Sequence, residues 1–179
     1  MKKRIIGLSF VCILFLALPF IMQAKECCKD NPDIKEAMEM SRNGRNEEAV
    51  TAINTIIQQD PGSIQAHISL GLVYYKMKQY DNSLDEFSKT IALRKESPMA
   101  YYFTGLIYEE MAMAVSGSEV KNLKRKALDS WQNYLEISER SGQEPSESHR
   151  HIGITKKESI LSAKKHIKVL KEELENEKN

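Results

Sequence analysis

The sequence lacks an excess of charge of either sign. Lysine and arginine number 26 and aspartate and glutamate 25, so the formal net charge is +1. There is also no long run of one sign, whereas a nucleic-acid-binding protein typically shows a basic excess or a basic patch. Nucleic acid is therefore not an expected partner. The hydrophobic content of 41% in 179 residues is enough for one domain with its own core.

Signatures of catalysis are missing as well. No glycine-rich phosphate loop occurs, and no serine or cysteine has a recognisable nucleophile setting. Of the 4 histidines, His149 and His151 lie in a polar stretch without the further ligands that a metal ion needs. His67 is better explained by packing than by catalysis. We therefore predict no catalytic residue, no cofactor and no metal site, in a protein that is not an enzyme.

The first 24 residues differ in composition from the rest of the chain. Lys2, Lys3 and Arg4 precede an almost purely apolar run at 5–18, and a short segment then ends in the small residue Ala24. A positive start, an apolar stretch and a cleavable exit are the layout of a secretory signal. We therefore expect residues 1–24 to be a signal peptide and the body to be exported, as a periplasmic or secreted protein.

An uncleaved membrane anchor is the alternative for this segment. From Ile5 to Ala24 the chain has 20 residues, which is just long enough to span a bilayer. The protein would then be held in the inner membrane with its body outside the cytoplasm. The membrane would be contacted only through this N-terminal segment, and only if the segment is not cleaved.

Two adjacent cysteines, Cys27 and Cys28, lie in the segment 25–30, which we expect to be flexible. A disulfide between neighbouring cysteines requires a strained ring, and this makes the bond easy to reduce. Outside the cytoplasm the two cysteines could instead link two chains. An unpaired terminus without a role, an interchain disulfide, and a thiol-redox or metal-handling role all remain open.

Equivalent residues recur at a fixed spacing in the body of the chain. Gly71 and Gly105 are 34 residues apart, and so are Tyr74 and Tyr108. A constant spacing of this size is typical of arrays of stacked helix pairs. Gly71 and Ser83 are small where two antiparallel helices would have to approach each other closely.

Start and stop signals bound the predicted helices. Asn31 followed by proline suits a helix start, and Asn43–Gly44 suits a helix stop. We expect Asn46 and Asp81 to cap the second helix of the first and second pairs. Ser97, again followed by proline, repeats the start signal for the third pair.

The chain from Asn31 to Ser138 resembles the tetratricopeptide repeat family. The resemblance is carried by Leu70, Gly71, Tyr74, Ser83 and Phe87 of one copy and by Gly105, Tyr108, Ala127, Trp131 and Tyr134 of the next. It implies an all-α fold: a short, right-handed solenoid of three helical hairpins with a C-terminal capping helix. The repeats at 31–140 divide into hairpins at 31–63, 64–97 and 98–140.

An insertion distinguishes the third hairpin. The spacing from Ser83 to Ala127 is 44 rather than 34, and the extra residues centre on 112–122. Both helices of this hairpin should therefore be longer than their counterparts. A polar linker is expected to follow at 141–154.

The last predicted element is an amphipathic helix at 155–177. Thr155 and Glu158 fit a capping box, and apolar residues recur every three or four positions from Ile160 to Leu174. We expect a capping helix, because a stacked array needs a last element with a polar outer face. A decayed fourth repeat and a helix for self-pairing are the alternatives.

The resemblance also implies a partner-binding groove. In the family, the first helix of each hairpin lines the concave side of the array and binds the partner. The matching positions are Ile34, Met38, Ser41 and Arg42 in the first copy, Ile68, Leu72, Tyr75 and Lys76 in the second, and Tyr102, Leu106, Glu109 and Glu110 in the third. Rigid aromatic residues with a polar tip contribute strongly to binding, so Tyr75 and Tyr102 are the expected anchors.

Packing within the chain is the alternative for the apolar members of this set, because Ile68, Leu72 and Leu106 could be covered by the next hairpin or by the C-terminal helix. The sequence favours a scaffold that binds a protein or peptide segment in its groove. Its rivals are a membrane-anchored or self-associating envelope component, which could be a homo-oligomer, and a redox or metal-handling protein using the cysteine pair.

Overall fold

A computed structural model describes residues 31–140 and 155–176. The regular structure in these ranges is helical throughout, in seven helices: α1 (Pro32–Arg42), α2 (Asn46–Gln59), α3 (Ile64–Lys76), α4 (Tyr80–Leu93), α5 (Pro98–Ala114), α6 (Ser118–Arg140) and α7 (Lys156–Asn176). The predicted all-α helical-repeat fold is confirmed. The expected signal peptide, the cysteine pair and the polar linker lie outside the described residues.

Six of these helices pack as three consecutive pairs. α1 packs against α2, α3 against α4, and α5 against α6, while α2 with α3 and α4 with α5 join neighbouring pairs. The first helices also touch one another directly, α1 with α3 and α3 with α5. The first helices therefore lie side by side along one side of the array. In the described ranges, no helix is both long and apolar enough to cross a membrane.

Capping residues set several helix starts as the sequence predicts. The side-chain oxygen of Asn31 accepts a hydrogen bond from the backbone N–H of Asp33 at 2.9 Å. Before α3, the Ser63 hydroxyl accepts one from the N–H of Ala66 at 3.4 Å. Ser97 precedes α5, but its buried hydroxyl makes no cap hydrogen bond.

Two of the expected caps are wrong by one or two residues. α2 begins at Asn46 itself, with Arg45 in the cap position, and α4 begins one residue before Asp81, after Gln79. Neither cap position makes a side-chain cap hydrogen bond. Asn46 instead accepts a hydrogen bond from the Ser41 hydroxyl at 2.9 Å, which joins α1 to α2. A tertiary contact thus uses the side chain that local propensity assigns to the cap.

Small residues allow the two helices of a hairpin to approach closely. The Ser83 hydroxyl of α4 donates to the carbonyl of Gly71 in α3 at 2.8 Å. A Cβ on Gly71 would lie 3.0 Å from the Phe87 ring, and one on Gly105 would lie 2.8 Å from the Trp131 ring. Each ring therefore packs directly on the backbone of the first helix, at the position where the 34-residue spacing places glycine.

Aromatic residues dominate the core between the second and third hairpins. Phe87 and Phe103 stack at 5.7 Å, and Tyr102 contacts Trp131 edge-on at 5.1 Å and Tyr134 at 5.4 Å. The first hairpin has a separate, aliphatic core around Ile53 and Leu70. Edge-on aromatic pairs add to the stability gained by burial alone, so the third hairpin has the strongest internal packing.

His67 is buried, as the packing interpretation predicts. Its ring nitrogens lie 2.6 Å from a carboxylate oxygen of Glu86 and 3.0 Å from the carbonyl oxygen of Pro61. The histidine therefore joins α3 to α4 and to the turn before α3. Buried polar groups with partners on both sides are typical of a structural role.

The third hairpin is longer than the second. α5 and α6 have 17 and 23 residues, against 13 and 14 in α3 and α4. The turn between α5 and α6 contains Gly117, whose φ of +77° lies in the left-handed region. Such a backbone conformation favours glycine, and this explains why the extended hairpin reverses there.

Helix α7 packs on α6 and ends the described array. The Tyr134 hydroxyl donates to the hydroxyl of Ser159 at 2.7 Å, and Ala163 and Leu170 are buried against the third hairpin. The predicted capping box is present, because Thr155 and Glu158 exchange hydrogen bonds through their backbone N–H groups. The bonds that Thr155 donates, first from its backbone and then from its hydroxyl, lower the pKa of the Glu158 carboxyl.

We expect Gly105→Ala to destabilise the protein. Overpacking a core costs about 1–3 kcal/mol, and alanine returns at most about 1 kcal/mol of helix propensity. The Trp131 ring is fully buried and cannot move aside. The measurement is urea unfolding followed by circular dichroism.

Gly62→Ala is the matched control, because Gly62 lies in an exposed turn where the nearest atom is 3.4 Å from the added Cβ. This control should leave the unfolding midpoint almost unchanged. A Gly105→Ala protein as stable as the unsubstituted chain would show that Trp131 does not need the glycine.

Candidate partner-binding site

Three of the predicted groove residues are buried and are corrections to the prediction: the small polar Ser41 and two residues of the core, Ile34 and Tyr102. Ile34 is 2% exposed and Tyr102 is 6% exposed. The Tyr102 ring lies between α5 and α6, against Trp131 and Tyr134, and this burial raises the pKa of its hydroxyl. Because both side chains are covered by the chain itself, neither can anchor a partner.

Lys76 is one of the predicted groove positions, and in the structure it joins two hairpins. Its ammonium group donates to the backbone carbonyl of Ser41, at the end of α1. Ser41 is itself buried, with 3% exposure. Arg42 lies at the surface and pairs with Glu39 at 2.5 Å. The positive charge of Lys76 thus helps to hold α3 against α1.

Tyr75 joins the second hairpin to the third. Its hydroxyl donates to Glu110 at 2.6 Å, and its ring meets Phe103 edge-on at 5.3 Å. Tyr80 donates to the second oxygen of the same carboxylate. Burial, together with the hydrogen bond to Glu110, raises the pKa of the Tyr75 hydroxyl. The side chain is half-buried, so only part of its ring is open to a partner.

Glu109 joins the third hairpin to α7. One of its oxygens accepts a hydrogen bond from the indole N–H of Trp131 at 2.7 Å, and the other lies 2.8 Å from Nδ1 of His166. The His166 ring also stacks on Trp131, with 4.6 Å between centroids. The sequence does not indicate His166, because the contact spans 57 residues and does not follow the 34-residue spacing.

The remaining groove residues form an apolar strip along the first helices. Met38, Ile68, Leu72 and Leu106 are half-buried, and the last three pack against the aromatic core. Met113 lies seven residues after Leu106 and therefore on the same face of α5. Met113 is 78% exposed, the highest value among the exposed large apolar side chains of the described residues. The strip thus continues to the end of α5.

A cleft of about 460 Å³ opens at this end, between α5, the start of α6, and α7. Its apolar wall is formed by Ala112, Met113, Val169 and Leu170. Lys124 and Glu173, 3.3 Å apart, form part of the rim together with Lys165. A cleft with an apolar floor and a charged rim suits an apolar side chain presented by a polar segment.

Comparison with known proteins supports the fold and does not identify a partner or an activity. No protein-family model matches the chain, and no curated protein matches it. A thermophilic TPR protein of Thermus thermophilus is similar in structure, with 15% identity and a TM-score of 0.54. The match covers 59% of this chain and 55% of that protein, so the chain corresponds to just over half of its length.

The type III secretion translocator chaperone SycD of Yersinia enterocolitica is also similar, with 13% identity and a TM-score of 0.60. This match covers 82% of the chain and 90% of SycD. A second SycD structure, described as an alternative dimer, has 11% identity and a TM-score of 0.58, over 80% of this chain and 96% of that one. At such identities the likeness shows that the chain has a tetratricopeptide-type helical fold.

We expect Glu109→Ala to loosen the contact between the third hairpin and α7. The indole N–H of Trp131 would lose its acceptor, and leaving a buried donor unpaired costs about 1–3 kcal/mol. Urea unfolding measures the loss, and Trp131, the one tryptophan of the sequence, reports locally through its fluorescence.

Glu172→Ala is the control, since this glutamate is 60% exposed and lies 3.9 Å from Lys168 on the surface of α7. Its removal should leave both the stability and the tryptophan emission unchanged. If Glu109→Ala behaved like this control, Glu109 would not be holding α7 in place.

Proposed function

We propose that the protein is an exported protein–protein interaction module that holds a segment of a partner protein. The partner lies along the apolar strip of Ile68, Leu72 and Leu106 and inserts an apolar side chain into the cleft beside Met113. The exposure of Met113 carries the proposal, because large apolar groups open to solvent next to a cleft commonly mark a binding site. The repeat fold supports it, because stacked helix pairs provide extended surfaces for protein partners.

The apolar strip is half-buried, and this limits how much it can contribute to the affinity for a partner. Leu72 and Leu106 already pack against the aromatic core, so a partner would gain only the burial of their remaining surface. Met113 offers most of its side chain. The affinity should therefore depend more on the cleft than on the middle of the strip, and more on shape than on the charges of Lys76 and Glu109, which are used within the array.

Export is proposed because the first 24 residues have the layout of a secretory signal. Cleavage after Ala24 is the simpler pathway, and anchoring in the inner membrane is the alternative.

No enzymatic activity is proposed. SycD, which has a similar fold, is described as a chaperone of secretion translocators. A role in holding another protein is consistent with such a neighbour, while the partner here is defined only by an apolar side chain that fits the cleft.

A photoreactive amino acid at position 113 of the full-length protein should crosslink to one defined partner in the native cell. The same substitution at position 93 is the matched control, since Leu93 is also an exposed apolar residue, at the end of the second helix of a hairpin. Mass spectrometry of the adduct identifies the partner segment. A synthetic copy of that segment should bind the purified protein about tenfold more weakly after Met113→Asp.

Equal adducts from positions 113 and 93 would contradict the proposed cleft. So would a partner segment that binds the Met113→Asp protein as tightly as the unsubstituted one. Circular dichroism of the variant confirms that the helices are intact, which is expected because the substituted side chain is exposed.

A further inference from the structure

Helix α7 occupies the place of the first helix of a fourth hairpin. Polar contacts join successive first helices at equivalent positions: Ser41 to Lys76, Tyr75 to Glu110, and Glu109 to His166. His166 therefore corresponds to Glu110, 56 residues earlier. The same shift pairs Ala163 with Ile107, and both are fully buried against the hairpin before them.

The same correspondence places Leu161 where the earlier hairpins have glycine. The second helix of a hairpin covers Gly71 with Phe87 and Gly105 with Trp131. Leu161 is 68% exposed, and within 31–140 and 155–176 no second helix packs on this side of α7. The face that a second helix covers in every other hairpin is therefore open.

This face is apolar in the centre and basic around it. It consists of Lys157, Ile160, Leu161, Lys164 and Lys168, which recur at helical spacing along α7, and we name it the basic face. Leu161, Lys164 and Lys168 line one shallow depression, together with Glu158, Ser162 and Lys165. Lys164 reaches Glu139 at 2.8 Å, but both side chains stay about half exposed, and Lys168 is 3.9 Å from Glu172. The lysines of this face and Lys165 number four, against three neighbouring carboxylates, those of Glu139, Glu158 and Glu172. Exposed pairs of this kind are weak, so the lysines can take a partner's carboxylates instead.

We propose that the basic face binds an acidic amphipathic helix of another protein, which completes the fourth hairpin in trans. A helix is the element that fills this place in the other hairpins. Leu161 supplies an apolar contact, and Lys157, Lys164 and Lys168 select glutamate or aspartate on the partner. Complementary charge around an apolar centre gives orientation and specificity more than affinity.

A second copy of this chain fits the basic face poorly. If two α7 helices paired antiparallel about Leu161 and Lys164, the lysines of one would lie against those of the other. A parallel pair would place each lysine beside its own counterpart. Like charges in direct contact are unfavourable in both arrangements, and this favours an acidic partner over self-association.

The basic face is distinct from the cleft of the proposed function. Val169 and His166 line the cleft, whereas Leu161 and Lys164 line the depression, and Ser162 and Lys165 lie between them and border both. Met113 belongs only to the cleft and Leu161 only to the basic face. The two surfaces can be disabled separately. Failure of one proposal therefore leaves the other standing.

The test uses two synthetic helical peptides and the full-length protein. Both peptides carry leucine on one face; one has glutamate on both flanks of that face and the other has lysine there. Fluorescence anisotropy should show the glutamate peptide binding at least about tenfold more tightly, with an affinity that falls as salt is added. Leu161→Asp should weaken its binding about tenfold or more, and Lys164→Glu with Lys168→Glu should reverse the preference between the peptides.

Met113→Asp and Leu93→Asp are the controls and should leave glutamate-peptide binding unchanged, since both residues lie away from the basic face. Equal binding of the two peptides would overturn the proposal, as would binding that Met113→Asp abolishes and Leu161→Asp does not. Sedimentation equilibrium gives a further decisive outcome. A dimer that Leu161→Asp dissociates would show that the basic face pairs with a second copy instead.

Discussion

The contact of an aromatic ring with a bare backbone organises this molecule. Phe87 rests on Gly71, where an added Cβ would be tightly placed at 3.0 Å, and Trp131 rests on Gly105, where an added Cβ at 2.8 Å would clash. Close contact of this kind brings the two helices of a hairpin together and fixes how they are rotated about their axes. The other faces of these helices then pack against the neighbouring hairpin or are exposed to solvent. The hydrogen bonds between hairpins form on the faces that pack together, and the apolar strip lies on the faces that remain exposed.

The hydrogen bonds between hairpins explain why the charged residues of the predicted groove are not available to a partner. Lys76, Glu109 and Glu110 have the charges that would steer a partner, but each is hydrogen-bonded to another helix of the array. These three side chains therefore contribute to stacking between neighbouring hairpins and to the contact with α7. What stays available is apolar surface, and this shifts the basis of recognition from charge to shape.

The period of the sequence is enough to predict the fold, since the spacing, the small residues and the helix starts at Asn31 and Ser97 all indicate the same arrangement. Local rules fail where a tertiary contact competes with them, as at Asn46, which binds Ser41 instead of capping α2. Within the site, the position of a residue in the repeat pattern predicts which helix face it occupies but does not predict how deeply it is buried. Tyr102 is such a case, because the large Trp131 and Tyr134 side chains enclose it. The role of His166 follows from the placement of α7, which no periodicity encodes.

The insertion in the third hairpin connects the fold to the proposed binding site. α3 ends at Lys76, and the equivalent point of α5 is Glu110, so the residues from Met111 to Ala114 exist as helix only because the hairpin is extended. These residues include Ala112 and Met113, which form one wall of the cleft, while Lys124, which corresponds to Tyr80 at the start of α4, lies at its rim. A third hairpin of standard length would stack equally well but would leave α7 with no wall opposite Val169. Some of the extra residues extend the core, since Met111 packs against the aromatic cluster and Ala112 and Leu123 are buried, while Met113 stays exposed and forms part of the concavity.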